Sequence, residues 1–442
     1  MLRTFPKGGV HPQENKISKG NPIERIELPK QVMIPIAQHI GAPAEPVVAK
    51  GDTVKVGQLI AKSTGFVSAN IHSSVSGTVA KIEKTIDTSG YKNTCIFINV
   101  EGDEWLETID RTPDLKTEIT MSAEEIRAKI AECGIVGTGG ATFPAHVKLS
   151  IPQGKKCEHL IINGVECEPY LTADHRLMLE HTEEIMVGCK IIQKATGAEK
   201  IIIGIENNKP DAIAKMTEAA KKYGITVMPL KVKYPQGGEK QLIKATVNRE
   251  IPAPPALPID VGCVVQNVGS TFAIYEAVQK NKPLFERVVT VTGKSVKSPK
   301  NILARVGTPL SHLIAAVGGL PEDTGKVVNG GPMMGKAVKS LEVPVTKGTS
   351  GVLMFKQSES VRMEENACIR CGKCVSACCM GLEPYLLKNL AKIRDFDALK
   401  EERVLDCIEC GSCSFTCPAG IPITDYIRYG KATVTKILRS KK

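Results

Sequence analysis

Aromatic side chains are scarce in this sequence of 442 residues: they make up 4% of it and include a single tryptophan. No uninterrupted apolar run reaches the roughly 18 to 20 residues that a membrane-spanning helix requires. The first residues, MLRTFPKGGVHPQENK, contain no apolar core of the kind that a secretory signal peptide carries. We therefore expect a cytosolic protein without a transmembrane helix.

Several functional signatures are also missing. The chain has neither a basic platform with stacking aromatics nor a zinc-finger or RNA-binding motif, so we expect no nucleic-acid partner. It has no H-E-x-x-H helix and no Ser-His-Asp or Cys-His arrangement, so hydrolase chemistry is not indicated. The formal net charge is +11, part of it in the closing KATVTKILRSKK. We interpret this tail either as a solvated helix end or as a surface for an acidic protein or an anionic membrane.

Cysteine, in contrast, is abundant, with fifteen residues. Disulfides are rare in a reducing cytosol, so repeated tight spacings favour metal or redox use. Two stretches, CIRCGKCVSACC (368–379) and CIECGSCSFTCP (407–418), both follow C-x2-C-x2-C-x3-C. This spacing favours two 4Fe-4S clusters over structural zinc, because zinc is satisfied by C-x-x-C pairs alone. The six remaining cysteines have no ligand spacing, and we expect most of them to be buried.

In two-cluster ferredoxins the fourth cysteine of each run ligates the other cluster. Cluster 1 is therefore predicted to be held by four thiolates: Cys368, Cys371, Cys374 and Cys417. Cluster 2 is predicted to be held by Cys407, Cys410, Cys413 and Cys378. Proline is usual after the fourth cysteine, but Cys379 stands there in the first run. Whether Cys378 or Cys379 is the ligand stays open, although the spacing favours Cys378.

The length allows about three or four domains. Short Val/Ile-rich runs between glycine turns, such as GDTVKVGQ and VSGTVAKI, predict antiparallel strands near the start of the chain. They resemble the barrel-sandwich hybrid of lipoyl and biotinyl domains, with Phe66 at the place of the carrier lysine. Further on, HLIING (159–164), IIIGI (201–205) and TVMPLKV (226–232) alternate with helical segments and predict a parallel sheet covered by helices.

We therefore expect a multidomain α/β plus β protein. The Pro-rich REIPAPPALPIDVG (249–262) is interpreted as a boundary or extended connection, followed by a small α+β module. The predicted divisions are an N-terminal arm with a barrel-sandwich hybrid (1–115), a Rossmann-like α/β domain (120–248), an α+β module with its connecting segment (249–355), a double-cluster ferredoxin-like α domain (360–426) and a basic tail (427–442).

The stretch SAEEIRAKIAECGIV predicts a helix that begins with Ser122 and Glu125 in capping-box spacing. A glycine-rich loop, GTGGATFPAHVKL, follows this helix. Gly137, Gly139 and Gly140 let backbone amides approach an anion, and Pro144 suits the first position of a helix. Lys148 lies one helical turn later and is placed to add positive charge for a phosphate. The loop lacks G-x-G-x-x-G, so it is not the ordinary dinucleotide fingerprint.

The loop resembles the flavin loop of the NADH-oxidising subunit of respiratory complex I, which reads G-R-G-G-A-G-F-P. Later landmarks agree: NGVECEP matches N-A-D-E-G-E-P, YPQGGE partly matches Y-x-x-G-E-E, and VVQNVGST matches V-N-N-V-E-T. The resemblance implies that FMN is cradled here, that NADH reaches its ring, and that Phe143 faces the nicotinamide. The other residues it implies at the cofactor site are Asn163, Glu166, Glu168, Tyr234, Gly237, Glu239 and Asn267.

The order of these parts, with an SLBB-like module before the cysteine runs, is similar to that of the RnfC family of Rnf-complex subunits. The resemblance covers nearly the whole chain. It implies a peripheral subunit on the cytoplasmic face of the membrane, in a ferredoxin:NAD oxidoreductase coupled to Na+ or H+ translocation. Its implied partners are the membrane subunits, the ferredoxin-like RnfB and NAD(H).

Two alternatives stay open. A soluble NADH-dependent reductase for a corrinoid or hydrogenase partner would contain the same flavin and clusters. A non-catalytic electron-relay adaptor would keep the clusters and lack the flavin.

Overall fold

The computed structural model describes residues 2–440. An N-terminal arm precedes a β domain made of two small antiparallel sheets, of strand order β2-β8-β7-β4 and β3-β5-β6. Buried valines and isoleucines from both sheets form its core, as the alternating sequence pattern predicts. The strands of this part are β1 (Ile23–Glu24), β2 (Gln31–Pro35), β3 (Glu45–Pro46), β4 (Thr53–Val54), β5 (Leu59–Lys62), β6 (Ile71–His72), β7 (Ser76–Ile86) and β8 (Lys92–Gly102).

An α/β domain follows, with a parallel sheet of order β11-β10-β9-β12. The three strands predicted from apolar runs are confirmed, and so is the capping box formed by Ser122 and Glu125 at the first helix. Pro144 stands at the N-cap, one residue before the predicted position. The elements are α1 (Ala123–Glu132), α2 (Ala145–Lys148), β9 (His159–Asn163), α3 (Ala173–Glu180), α4 (Thr182–Thr196), β10 (Lys200–Glu206), α5 (Pro210–Tyr223), β11 (Thr226–Leu230), α6 (Glu239–Val247), β12 (Cys263–Asn267) and α7 (Val268–Lys280).

The boundary predicted at 248/249 is wrong. Strand β12 pairs in parallel with β9 along its whole length, and α7 packs its buried face into the same core as α1 and α4. The Pro-rich segment is therefore a connection within the α/β domain, because the strand that follows it completes the domain's sheet.

The next module contains a six-stranded mixed sheet of order β1-β14-β13-β17-β15-β16. Strand β1 comes from the N-terminal arm and pairs with β14 in parallel, so this sheet borrows an edge strand from the start of the chain. The elements are β13 (Glu286–Thr292), β14 (Lys300–Arg305), α8 (Leu310–Ala316), β15 (Thr324–Asn329), β16 (Lys336–Ala337), β17 (Gly351–Lys356) and α9 (Gln357–Ser360).

The cysteine runs lie in a small helical module at the end of the chain. Its helices are α10 (Lys373–Ala377), α11 (Pro384–Ile393), α12 (Phe396–Glu401), α13 (Ser412–Phe415) and α14 (Ile423–Ser440). The separate basic tail predicted from residue 427 is wrong, because α14 crosses that boundary and buries Ile427 and Val434 in the module's core. The last part of that predicted tail, Lys441 and Lys442, lies outside the described residues. Within residues 2–440, no helix has the length and apolar character needed to span a membrane.

Candidate functional site

The candidate site is built on the carboxyl ends of two neighbouring parallel strands. Asn163 ends β9 and Asn267 ends β12, and the two residues are paired in register. The Nδ2 atom of Asn163 donates to the carbonyl of Gly237, 2.9 Å away. The Oδ1 atom of Asn267 caps α7 by accepting from the Gly269 amide at 2.8 Å. Two of the predicted residues are thus brought side by side at the edge of the sheet where α/β proteins bind ligands.

The glycine-rich loop is tied to this edge through Thr138. Its hydroxyl donates to Asn267 Oδ1 at 2.8 Å, and its amide donates to Ser270 Oγ at 2.8 Å. The next three residues of the loop, 139–141, are exposed. A Cβ atom at Gly139 would lie 3.4 Å from Cβ of Asn267, so the loop backbone passes close to the end of β12.

Consecutive amides in this loop are free to bind an anion. The amide of Gly137 is engaged, because it closes the loop by donating to the Phe143 carbonyl at 2.9 Å. Within residues 2–440, the amides of Gly139, Gly140 and Ala141 find no hydrogen-bond acceptor. Gly140 has φ +111°, in open space. Successive free N–H groups around a residue of positive φ form an anion-binding concavity. Phe143 is half-buried at the end of this loop.

Lys148 has two partners inside the protein. Its Nζ atom lies 2.6 Å from Glu239 Oε1 and 2.9 Å from the carbonyl of Val265. The pair joins α2 to the first residue of α6. The positive charge that the sequence assigned to a phosphate is therefore already balanced by Glu239.

The two predicted acids also have partners, Glu166 within the α/β domain and Glu168 at the contact with the six-stranded sheet module. The carboxylate of Glu166 accepts from the amides of Asp174 and His175, at 2.7 and 3.2 Å, at the start of α3. That of Glu168 accepts from the amides of Met333 and Met334, at 3.0 and 2.9 Å, in the six-stranded sheet module. Their contact with a cofactor stays a prediction.

Sequence reasoning missed two charged residues beside the loop, the half-buried Asp174 and the buried Arg287. Asp174 accepts from Asn267 Nδ2 at 2.8 Å, and burial together with the nearby Glu166 raises the pKa of its carboxyl to about 7. Arg287 donates to the carbonyls of Thr138 and Lys347, at 3.2 and 2.6 Å, and burial lowers its pKa to about 10. Asp174 lies in YLTADHR, directly after NGVECEP, the stretch that resembles the flavin-site motif, so the sequence could have indicated it. Nothing in the local sequence indicates Arg287.

Tyr234 links the α/β domain to the cysteine module. The side chain is 2% exposed, and its hydroxyl donates to the carbonyl of Cys410 at 2.8 Å. Burial, with Glu168 and Cys167 nearby, raises its pKa well above the usual range, so the hydroxyl keeps its proton. The candidate flavin domain and the second cysteine run are therefore in direct contact.

Four thiols of the predicted cluster 2 line one small cavity: Cys378, Cys407, Cys410 and Cys413. Cys379 lines it too, and the nearby thiol of Cys379 lowers the pKa of Cys410. The fourth cysteine of the first run thus lies beside the first three of the second run. That these four residues hold one cluster stays a prediction. Cys378 and Cys379 both line this cavity, so both are candidate ligands.

The predicted ligands of cluster 1 are more open to solvent. Cys368 and Cys371 are exposed, whereas Cys374 and Cys417 are half-buried and pack against the core of the module. In the described part of the chain, no three His, Cys, Asp or Glu side chains are close enough together to hold a single metal ion.

The comparisons with known proteins match three consecutive parts of the chain. Residues 4–103 match the RnfC barrel sandwich hybrid domain, residues 130–276 the Nuo51 FMN-binding domain and residues 288–337 the SLBB domain. One subunit of the proton-translocating ferredoxin:NAD(+) oxidoreductase complex of Clostridium ljungdahlii is 48% identical over 98% of this chain and 94% of its own length. The chain belongs to the RnfC family.

Other members of the RnfC family are similar over most of their length. One from the Na(+)-translocating ferredoxin:NAD(+) oxidoreductase complex of Acetobacterium woodii is 43% identical, over 90% of both chains. One from the ion-translocating oxidoreductase complex of Rhodobacter capsulatus is 40% identical over 98% of this chain and 84% of its own. The family resemblance seen in the sequence is confirmed.

One solved structure supports the fold. An NAD+-reducing NiFe hydrogenase in the H2-reduced state superposes with a TM-score of 0.51 and 20% identity, over 72% of this chain and 63% of that one. The FMN-binding match extends to residue 276, in agreement with the place of β12 in the α/β sheet. A barrel-sandwich domain, a complex I-type flavoprotein domain and an SLBB domain are thus all present.

Glu168 provides a test of the contact between the α/β domain and the sheet module. Burial raises the pKa of the Glu168 carboxyl from 4.5 to about 7. The protonated carboxyl therefore stabilises the folded protein fully below pH 4.5, and this contribution is lost as the pH rises through 7. Between pH 5 and 8 the wild type should lose about 2 kcal/mol of unfolding free energy relative to Glu168→Gln. Urea unfolding of both proteins under anaerobic conditions measures this difference.

The same substitution at the exposed Glu101, on β8, serves as the control because it changes the net charge equally. It should leave the pH profile parallel to that of the wild type. A parallel profile for Glu168→Gln as well would show that Glu168 is not held in a desolvated environment.

Proposed function

We propose that this protein exchanges hydride between NAD(H) and FMN and passes single electrons through two 4Fe-4S clusters. In this proposal it is the peripheral electron-transfer subunit of a membrane-bound ferredoxin:NAD oxidoreductase coupled to Na+ or H+ translocation. The observation that carries the proposal is the hydrogen bond from Tyr234 to Cys410. This bond joins a domain of the FMN-binding type to the cysteine module in a chain of the RnfC family.

The residues at the strand ends fit FMN. The free amides of Gly139, Gly140 and Ala141 suit its phosphate, and Asn163 and Asn267 fix the loop and the neighbouring backbone in position. FMN, when bound, converts a two-electron hydride exchange into one-electron exchanges. Gly137 closes the loop in this proposal. The remaining residues proposed to line the site are Phe143, Lys148, Glu166, Glu168, Tyr234, Gly237 and Glu239.

The side chains of the site have positioning roles. Lys148 and Glu239 neutralise each other and hold α2 against α6, so the loop between α1 and α2 starts and ends on fixed elements. Glu166 orients the start of α3, which places Asp174 against Asn267. No side chain is required as a nucleophile or general base, because the chemistry belongs to the cofactor.

The cysteines fit two clusters, each of which takes ligands from both cysteine runs. Thiolates are the usual ligands of such clusters, and the fourth thiolate of each run is expected on the other cluster. Cluster 1 is proposed on Cys368, Cys371, Cys374 and Cys417. Cluster 2 is proposed on Cys407, Cys410, Cys413 and Cys378, which line a common cavity next to Tyr234.

The proposed partners are the membrane subunits of the complex and its ferredoxin-like RnfB, on the cytoplasmic face of the membrane. The names of the relatives, which belong to ion-translocating complexes, support this part of the proposal.

An anaerobic NADH titration of the isolated chain tests the proposal most directly. The purified protein should hold about eight irons, from two four-iron clusters, and FMN, and NADH should bleach the flavin and cluster absorbance and produce cluster EPR signals. Protein that contains the clusters but no flavin, even after FMN is offered, would support an electron-relay adaptor. Co-purification with membrane subunits separates the proposed complex from a soluble reductase.

The loop assignment can be tested at Gly139. A leucine there would meet Asn267 and cover the neighbouring amides, so Gly139→Leu should lose most of its FMN and keep both clusters. Gly65→Leu is the matched control, because that glycine faces open space and has no positive φ. Flavin and iron are assayed in the same samples, and equal flavin content in the two variants would count against the loop.

The ligand left open by the sequence can be tested with two serine variants. Cys378 follows the ferredoxin spacing and Cys379 does not, although both line the cavity. Cys378→Ser should lose or strongly alter one cluster, seen as a loss of about four irons or a changed EPR signal. Cys379→Ser should keep both clusters. The reverse result would assign Cys379 as the ligand.

A further inference from the structure

The sequence GGVHP near the start of the chain has no part in the site described above, yet it lies between the α/β domain and the cysteine module. We call residues 3–10 the N-terminal strap. Its first anchor is at the edge of the parallel sheet, where Arg3 forms a parallel bridge with Leu230, the last residue of β11. The amide of Lys231 donates to the Arg3 carbonyl at 2.9 Å, and Arg3 itself donates to the carbonyl of Thr246 at 2.7 Å.

The second anchor is the buried ring of Phe5, which is 2% exposed. The ammonium of Lys233 lies 4.3 Å from the ring centroid and donates to the Phe5 carbonyl at 3.1 Å. Beside it, the hydroxyl of Thr4 donates to Gln236 at 2.8 Å. These contacts fix the first half of the strap on the segment that follows β11.

The strap then turns against the cysteine module at two glycines of positive φ, Gly8 at +63° and Gly9 at +89°. A Cβ atom on Gly8 would lie 2.4 Å from the carbonyl carbon of Cys378 and 2.7 Å from the amide nitrogen of Cys379. The amide of Gly9 donates to the carbonyl of Ala377 at 2.9 Å. The strap therefore contacts the backbone of Ala377, Cys378 and Cys379, on both sides of the Cys378 side chain.

The strap returns to the α/β domain at Val10. Its amide and carbonyl both pair with the backbone of Tyr234, at 2.9 Å each, and its side chain packs with Tyr234 and Ala377. The backbone of Cys378 thus lies between the turn at Gly8 and Gly9 and the rest of the cysteine module. Contacts with the α/β domain fix the strap on both sides of this turn.

We propose that the N-terminal strap positions Cys378 as the ligand that the first cysteine run contributes to cluster 2. Cys378 lies just after the end of α10, where the backbone leaves the helix, and contact with Gly8 limits where its peptide can move. The inference rests on the proposed cluster assignment and adds a positioning role for Gly8, Gly9 and Phe5, which are not themselves ligands.

The test compares two glycine-to-alanine variants with the same backbone strain. Gly8→Ala adds a methyl group where the Cys378 carbonyl stands. Gly224→Ala, at φ +65° on the α/β domain, adds one in open space. Both variants and the wild type are purified anaerobically, and their iron content, flavin content, cluster EPR spectra and midpoint potentials are measured.

Gly8→Ala should lose about four of the eight irons, or keep them with a changed EPR signal and potential for one cluster, while FMN and the other cluster match those of Gly224→Ala. Identical iron content, spectra and potentials in the two variants would overturn the proposal. If Gly8→Ala yields no folded protein, Phe5→Ala, which loosens the strap without adding bulk, should shift the same cluster. Unchanged cluster properties in that variant would overturn the proposal as well.

Failure of this inference is distinct from failure of the proposed function. A wild-type protein with about four irons would contradict the two-cluster assignment itself. A wild-type protein with about eight irons and unaffected strap variants would contradict only the role of the strap.

Discussion

The burial of Tyr234 is the constraint on which the arrangement of the domains depends. Its backbone pairs with Val10 of the strap, and its hydroxyl donates to Cys410 of the cysteine module. A buried hydroxyl left without an acceptor costs about 1 to 3 kcal/mol, so separation of the two parts is unfavourable unless water reaches the tyrosine. The backbone and the side chain of one residue therefore tie the N-terminal strap, the α/β domain and the second cysteine run to a common geometry.

Buried cations reinforce the other domain contacts in a similar way. Lys347 donates to the carbonyls of Asn70 in the β domain and Gly134 in the α/β domain, at 2.7 Å each. Lys16 donates to three carbonyls between residues 166 and 171. Burial lowers the pKa of Lys347 to about 7 and that of Lys16 to about 8. Because a desolvated ammonium needs all its acceptors at fixed positions, these contacts specify one relative placement of the domains.

Local patterns in the sequence predicted local structure well. The apolar runs of β9, β10 and β11 and the capping box of α1 follow from periodicity and side-chain chemistry that act within a few residues. The cysteine spacing predicted that Cys378 lies beside the second run, and these residues line one cavity. The exchange of the fourth ligand between two clusters stays a prediction.

What the sequence could not predict depends on contacts between distant residues. The prolines at 249–262 look like a boundary, and only the pairing of β12 with β9 shows that the sheet continues after them. The ion pair of Lys148 with Glu239 joins residues far apart in the chain, and no local pattern indicates it. Likewise, the positive charges of α14 suggest a basic tail. The residues that cover Ile427 are distant in the chain, so the sequence does not show that this helix is packed against the module.

The unequal exposure of the two proposed cluster sites has a consequence for handling the protein. Cys368 and Cys371 are open to solvent, whereas Cys378 and Cys407 are shielded by the packing around them. Accessible thiolates are the first to be oxidised. Exposure to air should therefore damage the proposed cluster 1 site before the proposed cluster 2 site. A low iron content in protein prepared in air would then reflect the order in which oxygen attacks the sites, not the number of sites in the chain.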